Sequence, residues 1–487
     1  MLPFMKETQH QWLYKSVPDV IRHQLESADK KGYTYTFELM GRQVVLHMVF
    51  PKPADSNSKY SRIYESEEQL IAFFDRCVHR ISVWLGVAFP YGGQQCANHL
   101  TCYLFFTDHT KILPKNKERI GKEHFQGVAE SIGRSKSAIF GRDEVSYENV
   151  KYSGERSSQE YEETPEAKPS EFAAVRSKST IFAKGTFGRR DENSDENQGF
   201  TGKNDPIDTI NANTALTTSC KPTSIIMLYR IEEWFKVFIH ETFHSLGLDF
   251  SEMDIRESNQ QIAQLFHGCN RGLDVRVYET YCEMWAVILH TLFLAYFSTN
   301  SGLHTYRERV RQSTPTRKRS ADRYSRILSK FERMIRYERA YTMFQAAKVL
   351  HHYGIEYRDL CENRGNNVRY TEPTPVFSYY IVKSVLFFHI NDFLDWCYTH
   401  NLIRPTDSAN SLKSSGFPRN NGTSKHILYF TKKPATIREY GRLIGRLYKS
   451  DTFIQKMDQM RKHVEQYTVE HPRRLMATTL RMSLHET

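Results

Sequence analysis

Residues 231–250 read IEEWFKVFIHETFHSLGLDF, apolar enough for a buried helix yet carrying titratable side chains at the helical period. His240 and His244 are four residues apart, so a helix projects both imidazoles from one face, where a single ion can take a nitrogen from each. Glu241 lies beside that face and can accept a proton from a water held by the ion. Trp234, Phe235, Phe238 and Leu246 supply the buried side, and Gly247 is placed to end the helix. Glu232 and Glu233 fall in the predicted first turn, where carboxylates complement the helix dipole. The run Ser224 to Tyr229, rich in large and β-branched side chains, predicts a strand just upstream. The competing expectation is a core helix whose two histidines hydrogen-bond to their neighbours.

A hydrolytic zinc site takes three protein ligands and keeps one position for water. Glu279 and Glu283 are four residues apart in a predicted helix that runs to about Phe297, and Tyr281, Cys282, Trp285 and Ala286 leave that helix little polar face. Two carboxylates in such surroundings need a cation to satisfy them. Glu279 as ligand and Glu283 as the group that orients a ligating imidazole meets the need; spacing alone also allows the reverse.

The pentapeptide His240-Glu241-Thr242-Phe243-His244, followed by Glu279 and Glu283, resembles the HExxH and ExxxD pair of gluzincin-type zinc metallopeptidases, with glutamate in place of the aspartate. The likeness covers residues 224–286, and its HExxH half is the more specific. The metzincin pattern HExxHxxGxxH matches at Gly247 but ends on Phe250, which cannot bind a metal. The phrases EEWFKVFIHETFHSLGLDFS and TPVFSYYIVKS are also similar to uncharacterised HExxH proteins of large nucleocytoplasmic DNA viruses. The gluzincin resemblance implies Zn²⁺ held by His240, His244 and Glu279, with Glu283 behind a histidine and Glu241 as general base. It implies a peptide or protein substrate cleaved through a metal-bound water. It further implies a zincin-like α+β fold, a small mixed sheet lobe packed on a mostly helical lobe, in which an edge strand holds extended substrate. Oxyanion donors are sought among His351, His352, Tyr370, Tyr379 and Tyr380. The alternative is a non-enzymatic structural or assembly protein that retains the scaffold; an intact Glu241 favours the enzyme, since that residue serves chemistry rather than folding.

Alternation over residues 32–50, broken at Gly41, predicts a β-hairpin. Ser66-Glu67-Glu68-Gln69 is a capping box for a helix over 67–87, and residues 99–108 return as a strand. Composition divides the chain into an N-terminal mixed lobe (1–141), a polar insertion expected to be disordered (142–206), a zinc-binding core (207–300), a helical lobe (301–466) and a basic tail (467–487). Helices are expected over 323–352, 376–400 and 436–466, with a long loop over 401–425.

Eight cysteines without CxxC spacing predict buried free thiols and a reducing, intracellular setting. The first residues, MLPFMKETQHQWLYKS, lack an uninterrupted apolar stretch of the secretory kind, and the apolar run 284–297 is short for a membrane span. A formal charge of +11 is diffuse, apart from residues 307–326 around Thr316-Arg317-Lys318-Arg319 and the pair Arg473-Arg474. Such a cluster is either a nucleic-acid patch or a solvated loop.

Overall fold

The computed structural model describes residues 11–53, 59–114, 175–178, 205–266, 275–300, 317–362, 370, 372, 374–401 and 427–486. A mixed sheet in the order β4-β1-β2-β3-β6-β5 lies against a larger set of helices, an α+β arrangement. The strands are β1 (Lys30–Leu39), β2 (Arg42–Pro51), β3 (His99–Phe105), β4 (Val175–Lys178), β5 (Ala215–Thr217) and β6 (Thr223–Leu228). The longer helices are α1 (Asp19–Ser27), α2 (Glu67–Ala88), α3 (Trp234–Ser245), α4 (Arg256–Leu265), α5 (Val277–Asn300) and α6 (Arg317–His352). A π turn (Phe377–Val382) then runs into α7 (Lys383–Phe388), followed by α8 (Ile390–His400), α9 (Pro434–Leu447) and α10 (Asp451–Glu470).

The expected hairpin is β1–β2, antiparallel with Leu39 opposite Arg42. Its two-residue turn, Met40 and Gly41, has φ of 54° and 74°, the left-handed pair that matches strand twist in a type I′ turn. Ser66 Oγ accepts the Gln69 N–H at 3.3 Å and starts α2 at the predicted place, but the Ser66 N–H goes to the Arg62 carbonyl, so the reciprocal half of the expected capping box does not form. β2, β3 and β6 run parallel in the sheet centre, so both of their faces need cover. Leu100, Cys102, Leu104, Ile226 and Leu228 face the main core, while Tyr103, Phe105, Ile225 and Met227 face a second cluster closed by Ile21 and Leu25 of α1.

The helix carrying the two histidines is shorter than its apolar run, and every residue of it is buried. Glu232 and Glu233 do not sit in its first turn as dipole-complementing surface groups. Glu233 takes the left-handed conformation, φ 57°, just ahead of α3, and turns its carboxylate inward. There it meets Lys111 Nζ at 2.9 Å and accepts the N–H groups of Met482 and Ser483 at 3.0 and 2.6 Å. Gly247, φ 62°, ends the helix as expected.

Helix α5 is long and apolar enough over Val277–Thr299, at mean hydropathy 1.3, to cross a membrane by length and composition. Sixty-one per cent of its most apolar window (61%) is buried inside the protein, where it packs on α3 and α6. The helix expected over 436–466 is two, α9 and α10, because Ser450 is extended (ψ 132°) and Asp451 opens a new first turn. The helix expected over 376–400 is broken at His389, whose ψ of 44° is not helical.

Cys96 and Cys220 form a disulfide, which corrects the expectation of free thiols at those two positions. They are 124 residues apart in sequence, but each lies three residues ahead of a paired position, His99 and Thr223, in the parallel β3–β6 ladder. The topology therefore brings them together. Cys77, Cys102, Cys282, Cys361 and Cys397 are free and buried. Of the polar insertion, Val175–Lys178 adds an edge strand to β1, and residues 205 and 206 are also described; 142–174 and 179–204 lie outside the described residues, as do 307–316 of the basic cluster and 402–425 of the predicted loop. Leu480–Ser483, assigned by composition to a basic tail, are buried, since their backbone is held by Lys111, Tyr380, Lys383 and Glu233.

Candidate metal centre

Three elements converge at one end of a cavity of about 430 Å³: the middle of α3, the first turn of α5 and the edge strand β5. His240 Nε2 and His244 Nε2 are 3.3 Å apart, as the i and i+4 spacing requires. Glu279 Oε2 completes the triangle at 3.0 Å from His240 Nε2 and 3.4 Å from His244 Nε2. Edges of this size are what three ligands at about 2.0–2.1 Å from one tetrahedral ion present.

The other ring nitrogens decide what the triangle can hold. His244 Nδ1 lies 2.5 Å from Asp249 Oδ2, and His240 Nδ1 lies 3.2 Å from Glu283 Oε2, an ionic contact off the line of a good hydrogen bond. Carboxylates on both Nδ1 atoms favour the proton there and leave lone pairs on both Nε2 atoms, which face each other and a carboxylate oxygen. That cluster repels itself unless a cation or an added proton lies between. Burial pulls both imidazoles down, yet Glu279 and Glu283 hold His240 above its ordinary value, and Cys282, Asp249 and Glu279 hold His244 well above it. The field that favours a proton on Nε2 also favours a divalent cation. The donor set, two imidazoles and one carboxylate, suits Zn²⁺.

Spacing left Glu279 and Glu283 interchangeable; geometry separates them. Glu279 faces both Nε2 atoms, and burial, which would raise its carboxyl, is outweighed by His244 and His240, which hold it low. Glu283 faces Nδ1 of His240 and is itself held by Lys236 Nζ at 2.9 Å and Lys383 Nζ at 3.2 Å. Those two ammonium groups overcome its burial and keep it ionised. Glu241 lines the cavity and makes no hydrogen bond with a described residue, while burial raises its carboxyl above the usual range. A carboxylate so placed can accept a proton from a group in the cavity.

Sequence reasoning missed Asp249, Lys236 and Lys383. Each is a single charge in an apolar stretch (Leu248-Asp249-Phe250, Phe235-Lys236-Val237, Val382-Lys383-Ser384), where a buried charge demands a partner. Cys282 Sγ lies 3.5 Å from Asp249 Oδ2 and completes that side. Of the five oxyanion candidates Tyr379 lines the cavity, its ring 6.1 Å from that of His240. The others are spent elsewhere: His351 is exposed, His352 pairs with the Asp205 carbonyl, Tyr370 donates to Glu372 and Tyr380 to the Leu480 carbonyl.

If Asp249 orients His244, Asp249→Asn should weaken zinc binding about 10–100-fold with little loss of fold. Competition with a chromophoric chelator measures this, and an unchanged affinity would remove Asp249 from the site.

Compared with known proteins, the chain matches no family model, no curated protein and no solved structure.

Proposed function

We propose that this chain is a zinc-dependent metallopeptidase of gluzincin-like design. The observation that carries the proposal is the meeting of His240, His244 and Glu279 within 3.0–3.4 Å of one another, with the carboxylate of Glu241, hydrogen-bonded to no described residue, on the same cavity. Zinc held by those three residues would supply Lewis acidity, polarising a carbonyl and acidifying a water. Glu241 then takes the water proton during attack on the amide carbon and returns it to the leaving amine. The Tyr379 hydroxyl is the candidate donor to the developing oxyanion. Burial raises that phenol well above its ordinary value, and the carboxylates of Glu279 and Glu241 add to the effect, so it is a donor throughout the physiological range.

Peptide, rather than another acyl compound, is favoured by β5. This strand pairs with β6 on one side, and Ala215, Leu216 and Thr217 line the metal cavity. A strand edge that pairs with no described strand, beside the reacting groups, is suited to take an extended backbone by strand addition. It would hold the scissile bond in one direction across the cavity.

An open zinc site binds hydroxamates through the positions that water and the tetrahedral intermediate use. A simple hydroxamate at a hundred times its Kd should therefore stabilise the folded zinc protein by about 2.7 kcal/mol, read as a rise in Tm. The rise should vanish in His244→Ala. No rise in zinc-loaded wild type would favour a closed, structural zinc and a non-enzymatic scaffold.

A further inference from the structure

The basic cluster seen in the sequence continues into α6, which opens on Arg317-Lys318-Arg319. Within the described side chains, Arg323, Arg326, Lys330 and Arg333 follow at spacings of three, four and three, which places them on one stripe of the helix. The stripe is about 15 Å long at 1.5 Å rise per residue. Ile327, which is buried, and the partly buried Phe331 and Ile335 point into the protein. Arg326 and Arg333 are exposed, and Arg323 and Lys330 half-buried. None of the four forms an ion pair with a described residue; Arg326 donates to the Asp322 carbonyl, and Arg323 lies over the Tyr296 ring at 5.9 Å.

A row of cation–ring contacts leads from the stripe back to the half-buried Arg80. Tyr296 and Phe297, at the end of α5, form a pair with ring centroids 5.5 Å apart, and Arg80 of α2 lies over Phe297 at 5.6 Å. Arg80, Phe297, Tyr296 and Arg323 thus bridge from α2 across α5 to the stripe on α6. Tyr296 remains 41% exposed, while Tyr324 lies about 100° round the helix from Arg323, on the side of Phe331 and not of the stripe. Basic groups beside an accessible aromatic ring are the chemistry that nucleic acids meet, charge for phosphates and a π-face for unpaired bases.

The partner's class follows from what the stripe lacks. A protein partner needs a desolvated apolar or aromatic anchor at the centre of its interface, whereas Tyr296 lies at the Arg323 end of the stripe, and an anionic bilayer needs an apolar face to enter it. The outward flank of this helix offers Ser325, Ser329 and Glu332, all exposed. We propose that the α6 stripe binds the phosphate backbone of nucleic acid, without base selectivity and independently of the metal centre.

The test is fluorescence anisotropy of the full chain with a labelled 20-base-pair duplex and the matching single strand, between about 50 and 200 mM salt. Four phosphate contacts predict that log K falls against log salt with a slope of about −3.6 on duplex. The variant Arg326→Ala/Lys330→Ala/Arg333→Ala should flatten that slope by about 2.7 and lower affinity at least tenfold at about 50 mM salt, with zinc content and Tm unchanged. Tyr296→Ala should weaken the single strand more than the duplex. Absence of binding at low salt overturns the proposal, as does an unchanged slope in the triple variant. Stripe-dependent binding to phosphatidylserine vesicles or polyglutamate, tighter than to either nucleic acid, would also overturn it, reassigning the stripe to a membrane surface or an acidic protein.

Discussion

Glu241→Gln should bind zinc as tightly as wild type and lose peptide hydrolysis by about 10²–10⁴-fold, the usual contribution of a positioned general base. The amide has the shape of the carboxylate but cannot accept the water proton. Glu241 touches neither ring nitrogen, and no described residue depends on it for a hydrogen bond, so the substitution leaves ligands and packing in place. Glu279→Gln should behave differently. It removes the anionic oxygen that faces both Nε2 atoms, and metal affinity should fall first. Parallel measurements of zinc affinity and of peptide turnover separate the two roles. Equal zinc loss in both variants would erase the distinction between base and ligand.

Glu233→Gln should cost about 3–5 kcal/mol of stability, as breaking a buried ion pair from one side does. Lys111 and Glu233 have side chains 1% and 0% exposed, so the ammonium left behind cannot recover water. The same carboxylate holds the Met482 and Ser483 N–H groups, which ties the segment 480–486 to the start of α3. Burial alone would raise the Glu233 carboxyl, but Lys111, Lys236 and Arg481 bring it down to about 2. A carboxyl depressed on folding adds stability above its unfolded value, about 4.3 for glutamate, and that stability is lost as pH falls toward 2. Guanidinium unfolding at neutral pH measures the loss. A midpoint shift worth less than about 1 kcal/mol would mean that the site relaxes and lets solvent in.

Much of this was legible in residues whose neighbours in sequence are also neighbours in space. His240, Glu241 and His244 are positioned by helical period alone, and Gly41, Ser66 and Gly247 mark chain reversals and helix ends through local backbone chemistry. Glu279 and Glu283 were identifiable because a carboxylate pair inside an apolar helix has to be neutralised, but their separate roles depend on how α5 is rotated against α3, which is a tertiary fact. Asp249, Lys236 and Lys383 were missed for the same reason. The Cys96–Cys220 pair needed the register of β3 on β6, and the edge strand β5 needed the order of the whole sheet. Inward-turned Glu233 opposes the ordinary preference for carboxylates at helix starts, since Lys111 and the backbone at 482 and 483, both remote in sequence, outbid the helix dipole.

The central claim is that His240, His244 and Glu279 hold one zinc. Elemental analysis of the full chain purified from zinc-replete medium, wild type beside His240→Ala, tests it most directly. About one zinc per folded wild-type chain and a near-complete loss in the variant are predicted, since two remaining ligands cannot retain the ion through purification. A folded wild type without transition metal, or equal zinc in the two proteins, would contradict the account.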